Sequence, residues 1–352
     1  MGEKILMKGN EAIGEAAISA GCRCFFGYPI TPQSELPAFL AKKMPLVGGV
    51  FLQAESEIAA INMVYGAASA GVRVMTSSSS PGISLKQEGI SYIAGAELPV
   101  LICNVQRAGP GLGTIQPSQS DYFQAVKGGG HGDYRLIVLS PSSVQEVIDL
   151  IRLGFDLADK YKTPAMFLAE GMLGQLMEPV DLGDYKPNIP EKPWALTGCK
   201  GREKNIVTSL WIDPEELERH NLALQQKYAI IKENEQRWED FKFDDEAEYL
   251  IVAHGTMARI AKSAVIKARE EGIKTGLIRP ISLWPYPEKA FTNLKNIKKI
   301  LVVEMSMGQM VEDVRLSVNG RVPVEFFGRA GGMFPTVNQI LGKLREISEK
   351  EN

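Results

Sequence analysis

The residue of this sequence best suited to chemistry is Glu57, a carboxylate at the start of an apolar segment. Residues 57–71 carry alanines, Met63 and Val64 at helical spacing, which predicts a helix with little room for water. A glutamate in the first turn lies near the positive end of the helix dipole and beside an apolar surface. A carboxyl group so placed suits proton sharing with a bound cofactor. The alternative is a glutamate that only complements the dipole.

Further polar groups stand where other predicted strands end. Thr31, the serine run 77–80 and Arg107 each follow a predicted strand, as Glu57 does. In an open parallel sheet, ligands bind in the crevice outside the carboxyl ends of the strands. We therefore expect a hydroxyl, a carboxylate, serines and a guanidinium to converge in one crevice, which is the usual form of a binding site.

Each of these groups also has a structural interpretation. Arg107 suits bidentate binding of an anion, but it equally suits a structural salt bridge. Thr31 stands between two prolines and fits a turn residue, and the serine run 77–80 fits a flexible loop. Among the histidines, His131 fits a proton carrier or a loop residue, and His254 fits a proton carrier or a helix cap.

Composition restricts the class of protein. The chain has 352 residues, which predicts more than one domain, with 45% hydrophobic and 23% charged residues, as in globular proteins. A net charge of −3 gives no sign of a nucleic-acid surface, and no apolar run has membrane-spanning length. The N-terminus lacks the apolar core of a signal peptide, so we expect a cytoplasmic protein without a membrane partner. The four cysteines have no iron–sulfur spacing.

Alternating apolar strands and helices indicate an α/β protein with parallel sheets covered on both faces. We expect one α/β domain over residues 1–185, a linker with a charged helical excursion over 186–247, and a second α/β domain over 248–352. A proline-marked loop is predicted at 280–287. The predicted strands are 23–28, 50–54, 72–77, 99–105, 136–139 and 165–168 in the first domain, and 249–254, 274–279, 299–304 and 322–327 in the second.

Together these motifs resemble a known family, the alpha subunits of 2-oxoacid:ferredoxin oxidoreductases. The resemblance extends over nearly the whole chain and is weakest over 190–245. It implies a pyrimidine-type thiamine diphosphate-binding domain followed by a transketolase C-terminal-like domain. The segments that carry it are Tyr28–Pro32, the helix after Glu57, Ser77–Gly82, Arg107–Gly111, Gly130–Asp133 and Leu277–Pro285.

The resemblance implies thiamine diphosphate chemistry, with the cofactor bound between two subunits. Glu57 matches the family's glutamate that contacts the aminopyrimidine ring and assists proton removal from the thiazolium ring. Thr31 and Arg107 match positions that hold the carboxylate of the 2-oxoacid substrate. The remaining cofactor contacts implied by the match are Pro29, Ile30, Ser78 and Ser79.

The resemblance also implies a hetero-oligomer. The diphosphate motif of this cofactor class, Gly-Asp-Gly, is missing, because tyrosines follow Gly132-Asp133 and Gly183-Asp184. A beta subunit is expected to hold the diphosphate, Mg²⁺ and a 4Fe-4S cluster. Gamma and ferredoxin-like delta subunits complete many members, with CoA and ferredoxin as co-substrates. The chain alone is therefore expected to have negligible decarboxylase activity.

Within the family, the likeness is greatest to subunits that act on branched-chain 2-oxoacids such as 3-methyl-2-oxobutanoate. The alternatives are a 2-oxoglutarate enzyme and a non-catalytic scaffold subunit. 2-Oxoglutarate needs a second cation at its far end, and the sequence does not show whether Arg23, Arg73 or Lys86 supplies one. An NAD-dependent dehydrogenase is disfavoured, because no helix directly follows the glycines 109, 111 and 113.

Overall fold

The computed structural model describes residues 4–349, which form two α/β units. The strands are β1 (Ile5–Lys8), β2 (Cys24–Gly27), β3 (Val50–Gln53), β4 (Val74–Ser78), β5 (Leu101–Gln106), β6 (Ile137–Leu139), β7 (Ala165–Glu170), β8 (Met177–Val180), β9 (Trp238–Phe241), β10 (Tyr249–Val252), β11 (Thr275–Pro280), β12 (Ser282–Trp284), β13 (Lys299–Glu304) and β14 (Val324–Gly328). The helices are α1 (Gly9–Ser19), α2 (Glu35–Lys43), α3 (Glu57–Ser69), α4 (Pro81–Gly95), α5 (Tyr122–Val126), α6 (Val144–Tyr161), α7 (Gly171–Gln175), α8 (Pro214–Asn234), α9 (Gly255–Glu270), α10 (Met310–Val318) and α11 (Val337–Glu349).

The first unit is built on a seven-stranded sheet with the order β12-β6-β7-β5-β4-β2-β3. All of its neighbours pair in parallel except β12 and β6. The central strands β5 and β7 are buried at every residue, because helices cover both faces of the sheet. Helices α1, α2 and α6 pack on one face and α3 and α4 on the other. The predicted α/β fold class with parallel sheets is confirmed.

The second unit is a five-stranded sheet with the order β14-β13-β10-β11-β9. Strands β14, β13, β10 and β11 are parallel, and β9 pairs with β11 in the antiparallel direction. Helices α9 and α11 cover one face. Its other face joins the core that contains α3 and α4, so a single hydrophobic core continues from one unit into the other.

Two short strands cross the boundaries that the sequence suggests. Residues 280–287 are predicted as a loop, and this prediction is wrong, because β12 pairs with β6 at the edge of the first sheet. Likewise β9, from the charged excursion, extends the second sheet. Both pairings join residues far apart in the sequence, which local patterns do not reveal. The strands β1 and β8 form a small antiparallel ribbon that the sequence analysis also missed.

The long charged helix of the excursion is α8, which begins after Asp213, whose side chain accepts a hydrogen bond from the Glu215 backbone N–H. Three of its residues are buried against the first unit: Leu224, Tyr228 and Ile231. Over residues 4–349, no helix combines the length and the apolar character needed to cross a membrane.

Candidate active site

The four neighbouring strands β5, β4, β2 and β3 end at the same edge of the first sheet. Arg107, the serines 78–80, Thr31 and Glu57 follow these strands in that order. The structure therefore brings the groups singled out from the sequence to one edge. Pro29 and Ile30 follow β2 at this edge too, Pro29 exposed and Ile30 half-buried.

Glu57 is the first residue of α3, where the Ser56 hydroxyl accepts a hydrogen bond from the Ala59 backbone N–H and starts the helix. Its side chain is buried, with 6% exposure. None of the described residues donates a hydrogen bond to its carboxylate. Gly82, in the first turn of α4, makes room for it, since a Cβ there would lie 2.7 Å from Glu57 Oε1 and 2.1 Å from Ser78 Oγ.

The serine run at the end of β4 is part of the core and is not a flexible loop. Ser77, Ser78 and Ser79 are fully buried. Ser77 Oγ donates to Gln33 Oε1 at 2.6 Å, whereas the hydroxyls of Ser78 and Ser79 have no hydrogen-bond partner. A buried hydroxyl without a partner loses its hydration without compensation. These two hydroxyls are therefore suited to a ligand.

Ser80, which connects β4 to α4, has a positive φ of 20°. Its Oγ donates to Asp121 Oδ2 at 2.6 Å, and its backbone N–H donates to Asn104 Oδ1 at 3.1 Å. Burial raises the pKa of Asp121, although the hydrogen bonds from Ser80 and Asn104 oppose the shift. This network fixes the turn that presents Ser78 and Ser79.

Arg107 is a buried cation, 8% exposed, without a carboxylate partner among the described residues. Its Nη1 donates to the Thr31 carbonyl at 3.1 Å and its Nη2 to the Leu112 carbonyl at 3.2 Å, while Nε has no partner. The structural salt bridge considered above is therefore absent over residues 4–349. Thr31 is exposed, and its backbone carbonyl makes the contact with Arg107. A buried guanidinium with spare donors suits an anionic ligand.

A cleft of about 410 Å³ opens beside this edge, between the two units. Its lining mixes polar residues such as Ser80, Ser120 and Gln309 with apolar ones such as Pro110 and Met307. Its volume is within the range of small-molecule sites.

The two histidines considered above lie elsewhere. His131 is exposed in a loop, and its ring meets Tyr92, in the last turns of α4, edge to face. His254 is fully buried at the junction of the units, with Nδ1 3.1 Å from Ser140 Oγ. Burial lowers the pKa of His254 to about 3, so the ring is neutral at pH 7.

The sequence analysis considered three cations as partners of a second substrate carboxylate. Two of them precede their strands and already have partners within the chain. Arg23 donates to backbone carbonyls before β2, and Arg73 pairs with Asp156 and Asp159 before β4. Lys86 is fully buried in α4.

Lys86, Gln33, Asn104 and Asp121 are polar residues near the site that the sequence analysis did not assign to it. The signal for Lys86 is weak, a lysine four residues after Gly82 in a helix that also contains Gln87 and Glu88. For Gln33, it is an amide directly after the Pro-Ile-Thr-Pro segment. Over residues 4–349, no group of three histidine, cysteine, aspartate or glutamate side chains is arranged to hold a metal ion.

Two family profiles match the chain. Residues 15–217 match the thiamine diphosphate-binding domain of pyruvate flavodoxin/ferredoxin oxidoreductases, and residues 247–340 match core domain II of pyruvate:ferredoxin oxidoreductase. The first match contains every strand end described above.

Two relatives align with this chain over nearly their whole length. The chain is 52% identical to ketoisovalerate oxidoreductase subunit VorB of Methanothermobacter marburgensis, over 99% of both chains. It is 35% identical to 2-oxoglutarate synthase subunit KorA of the same organism, over 98% of this chain and 99% of the relative.

A solved structure of 2-oxoglutarate:ferredoxin oxidoreductase from Magnetococcus marinus, with 2-oxoglutarate, coenzyme A and succinyl-CoA bound, is 29% identical. It superposes with a TM-score of 0.87 over 98% of this chain, which spans 65% of that longer chain. A split-gene transketolase, 14% identical with a TM-score of 0.61, shares the fold over 98% of both chains. The predicted family is confirmed: the chain belongs to the 2-oxoacid:ferredoxin oxidoreductases, as an alpha-type subunit with a thiamine diphosphate-binding domain.

Proposed function

We propose that this chain supplies the pyrimidine-contacting half of a thiamine diphosphate site in an enzyme that oxidatively decarboxylates 3-methyl-2-oxobutanoate. The products are an acyl-CoA and CO2, and ferredoxin accepts the electrons. The observation that carries the proposal is a buried cation, Arg107, at the same sheet edge as the buried carboxylate Glu57. Over residues 4–349, Arg107 has no carboxylate partner. Such groups persist in a folded protein where a ligand compensates them.

The residues present fit the cofactor. Among the residues that the structure describes, none donates a hydrogen bond to the Glu57 carboxylate, and the buried hydroxyls of Ser78 and Ser79 have no partner. Gly82 keeps the approach open, because any side chain there would collide with Glu57 and Ser78. Pro29 and Ile30, beside them at the end of β2, would contact the ring through their apolar surfaces.

When bound, thiamine diphosphate supplies the electron sink that decarboxylation of a 2-oxoacid requires. Glu57 would accept a hydrogen bond at a pyrimidine ring nitrogen and hold or return the proton there. Its position in the first turn of α3 stabilises the carboxylate, and its burial excludes water that would compete for the proton.

Arg107 and Thr31 would bind the substrate carboxylate. The Nε of Arg107, which has no partner among the described residues, and the exposed Thr31 side chain add donors beside Nη1 and Nη2, which already hold the loop carbonyls. This arrangement fixes the guanidinium plane before the substrate arrives, so little entropy is lost on binding.

The branched-chain substrate is supported by similarity and by the placement of cations. Identity is 52% to a ketoisovalerate oxidoreductase subunit and 35% to a 2-oxoglutarate synthase subunit. Arg23 and Arg73 lie at the amino ends of their strands, so neither would reach the far carboxylate of 2-oxoglutarate at the crevice.

We also propose the assembly that the resemblance implies. A beta subunit would hold the diphosphate, Mg²⁺ and a 4Fe-4S cluster, with gamma and ferredoxin-like delta subunits completing a cytoplasmic hetero-oligomer. CoA and ferredoxin would be its co-substrates. We propose that the chain divides into a first domain over 1–185, a linker over 186–247 and a second domain over 248–352. We also propose that the second domain serves assembly.

The test is Arg107→Lys in the complex co-purified from its native source or reconstituted with its partner subunits. Lysine keeps the charge but loses the planar fork, so KM for 3-methyl-2-oxobutanoate should rise about tenfold or more while thiamine diphosphate affinity is unchanged. Initial rates over a panel of 2-oxoacids provide the measurement.

Arg202→Lys, at an exposed arginine of the excursion, is the matched control. Unchanged KM in Arg107→Lys would reject the assigned role of Arg107. A complex that prefers 2-oxoglutarate would reject the branched-chain substrate, and robust turnover by the chain alone would reject the shared site.

A further inference from the structure

Lys86 is a fully buried lysine in α4, beside the proposed cofactor site. Its Nζ donates to Thr76 Oγ1 at 2.6 Å and to the Ser77 carbonyl at 3.1 Å. These are the residues of β4 that directly precede Ser78 and Ser79. A lysine is almost never fully buried without a carboxylate partner, and no ion pair to Lys86 occurs among the described residues.

Lys86 shares a helix face with two glycines that pack against α3. Gly82 lies four residues before it and approaches Glu57, and Gly89 lies three residues after it and approaches Ile61. Residues three and four apart lie on the same face of a helix. Lys86 therefore lies between these two contacts along α4, and its ammonium group bonds to the end of β4.

Burial lowers the pKa of Lys86 to about 7. The negative charge of Glu57 is the main influence that opposes the shift. Among the described residues, the titratable groups that face Lys86 are Glu57 on α3 and the buried thiol of Cys103 on β5. The contacts from β4 are the Thr76 hydroxyl and the Ser77 carbonyl. The carboxylate and the ammonium group are thus coupled electrostatically without touching.

We infer that Lys86 is a positioning residue for Glu57, which stabilises the ionised carboxylate from behind and anchors the end of β4 beneath the cofactor. This inference rests on the proposed function. A cation held in the protein interior acts over several ångströms because little water screens it. It requires no contact with the cofactor or the substrate.

The first test measures Lys86 itself in the full chain. Titration of ¹³Cε lysine signals by NMR, assigned through the backbone, should show one lysine with a midpoint near pH 7. Glu57→Gln should move that midpoint to lower pH, because the favourable charge is removed. Glu55→Gln, at an exposed carboxylate two residues earlier, should leave it in place. An ordinary lysine midpoint, or one insensitive to Glu57→Gln, would overturn the inference.

The second test uses the assembled enzyme and Lys86→Met, which keeps the length and removes the charge. The acidic limb of the pH profile of kcat/KM should move to higher pH, because the charge that favours the ionised carboxylate is removed. Lys42→Met, at an exposed lysine, is the control. A profile identical to that of the wild type would contradict the role of Lys86.

Different outcomes test the proposed function and the role of Lys86. If Glu57→Gln leaves turnover unchanged, the proposed function fails. If Glu57→Gln abolishes turnover while the NMR midpoint of Lys86 ignores residue 57, only the role of Lys86 fails.

Discussion

Two buried glutamates at strand ends, Glu57 and Glu304, have opposite surroundings. Each lies at the carboxyl edge of a parallel sheet, and Glu304 precedes α10 as Glu57 begins α3. The carboxylate of Glu304 is fully buried and accepts four hydrogen bonds: from Ser306 Oγ at 2.8 Å and from the backbone N–H groups of Gln309 at 3.1 Å, Met310 at 3.0 Å and Val311 at 3.0 Å. Glu57 accepts none from the described residues.

This difference separates a carboxylate that builds the fold from one available to a ligand. Glu304 compensates the free N–H groups of a helix terminus, so its burial is balanced within the chain. Glu57 is buried, and none of the described residues donates a hydrogen bond to its carboxylate. Nearby, the hydroxyls of Ser78 and Ser79 and the Nε of Arg107 also lack partners among these residues. Architecture alone does not distinguish the two edges; hydrogen-bond satisfaction does.

The largest expected effect is on catalysis at Glu57. Glu57→Gln keeps the shape but removes the group that shares a proton, so kcat of the assembled enzyme should fall about 10²- to 10⁴-fold. Stability of the chain in urea should change little, since no internal hydrogen bond is lost. Glu55→Gln is the control, because this neighbouring carboxylate is exposed. Normal turnover by Glu57→Gln would favour the scaffold subunit instead.

The opposite result is expected at Glu304. Glu304→Ala leaves buried donors without an acceptor and should lower the free energy of unfolding by roughly 4 kcal/mol. Urea denaturation followed by circular dichroism measures the loss. Glu312→Ala, at an exposed carboxylate in α10, the helix whose N-terminus Glu304 caps, should cost less than about 1 kcal/mol. If Glu304→Ala and Glu312→Ala lowered the free energy of unfolding equally, the hydrogen bonds of Glu304 would not stabilise the fold as described.

A third strand-end glutamate, Glu170, predicts a pH dependence of stability. It is fully buried at the end of β7, and Gln119 Nε2 donates to its Oε1 at 2.6 Å. Burial raises the pKa of Glu170 to about 7 from 4.5. The folded chain therefore binds this proton more tightly than the unfolded chain does. Its contribution is complete below pH 4.5 and is lost as the pH rises through 7.

The difference in stability between wild type and Glu170→Gln isolates this contribution from the opposing one of His254, whose pKa is lowered. Wild type should lose about 3 kcal/mol relative to the variant between pH 4.5 and 7, measured by urea denaturation. A difference that is constant over this interval would show that Glu170 is ionised throughout.

The smallest effect is expected from a single methyl group at Gly82. Gly82→Ala places its Cβ against Ser78 Oγ and Glu57 Oε1. The collision should cost about 2 kcal/mol of stability and weaken thiamine diphosphate binding to the assembled enzyme. In Gly66→Ala, at an exposed position of α3, the new Cβ meets no atom within 4 Å, so that variant should be neutral or slightly stabilised. Equal behaviour of the two variants would mean that the contact at Gly82 has no energetic importance.

The sequence predicted the positions of the strand ends because periodicity and strand order suffice for them. Thr31, Glu57 and Arg107 each follow an apolar run, and parallel strands place such residues at one edge. The missing carboxylate partner of Arg107 was not predictable, since a salt bridge depends on residues brought together only by folding.

The burial of single charged residues and the pairing of short strands could not be predicted from the sequence either. Nothing in the sequence around Lys86 shows that it is buried, because its burial depends on the packing of α4 against α3 and β4. Strand β12 has three residues, and its partner β6 lies more than 140 residues earlier. Short elements with distant partners carry too little local signal to be recognised.

The most direct measurement is an experimental structure of the assembled enzyme with thiamine diphosphate bound. It should place a nitrogen of the pyrimidine ring within about 2.6–3.2 Å of a Glu57 carboxylate oxygen, with the diphosphate held by another subunit. A pyrimidine ring bound out of reach of Glu57, or a diphosphate held by this chain, would contradict the shared site.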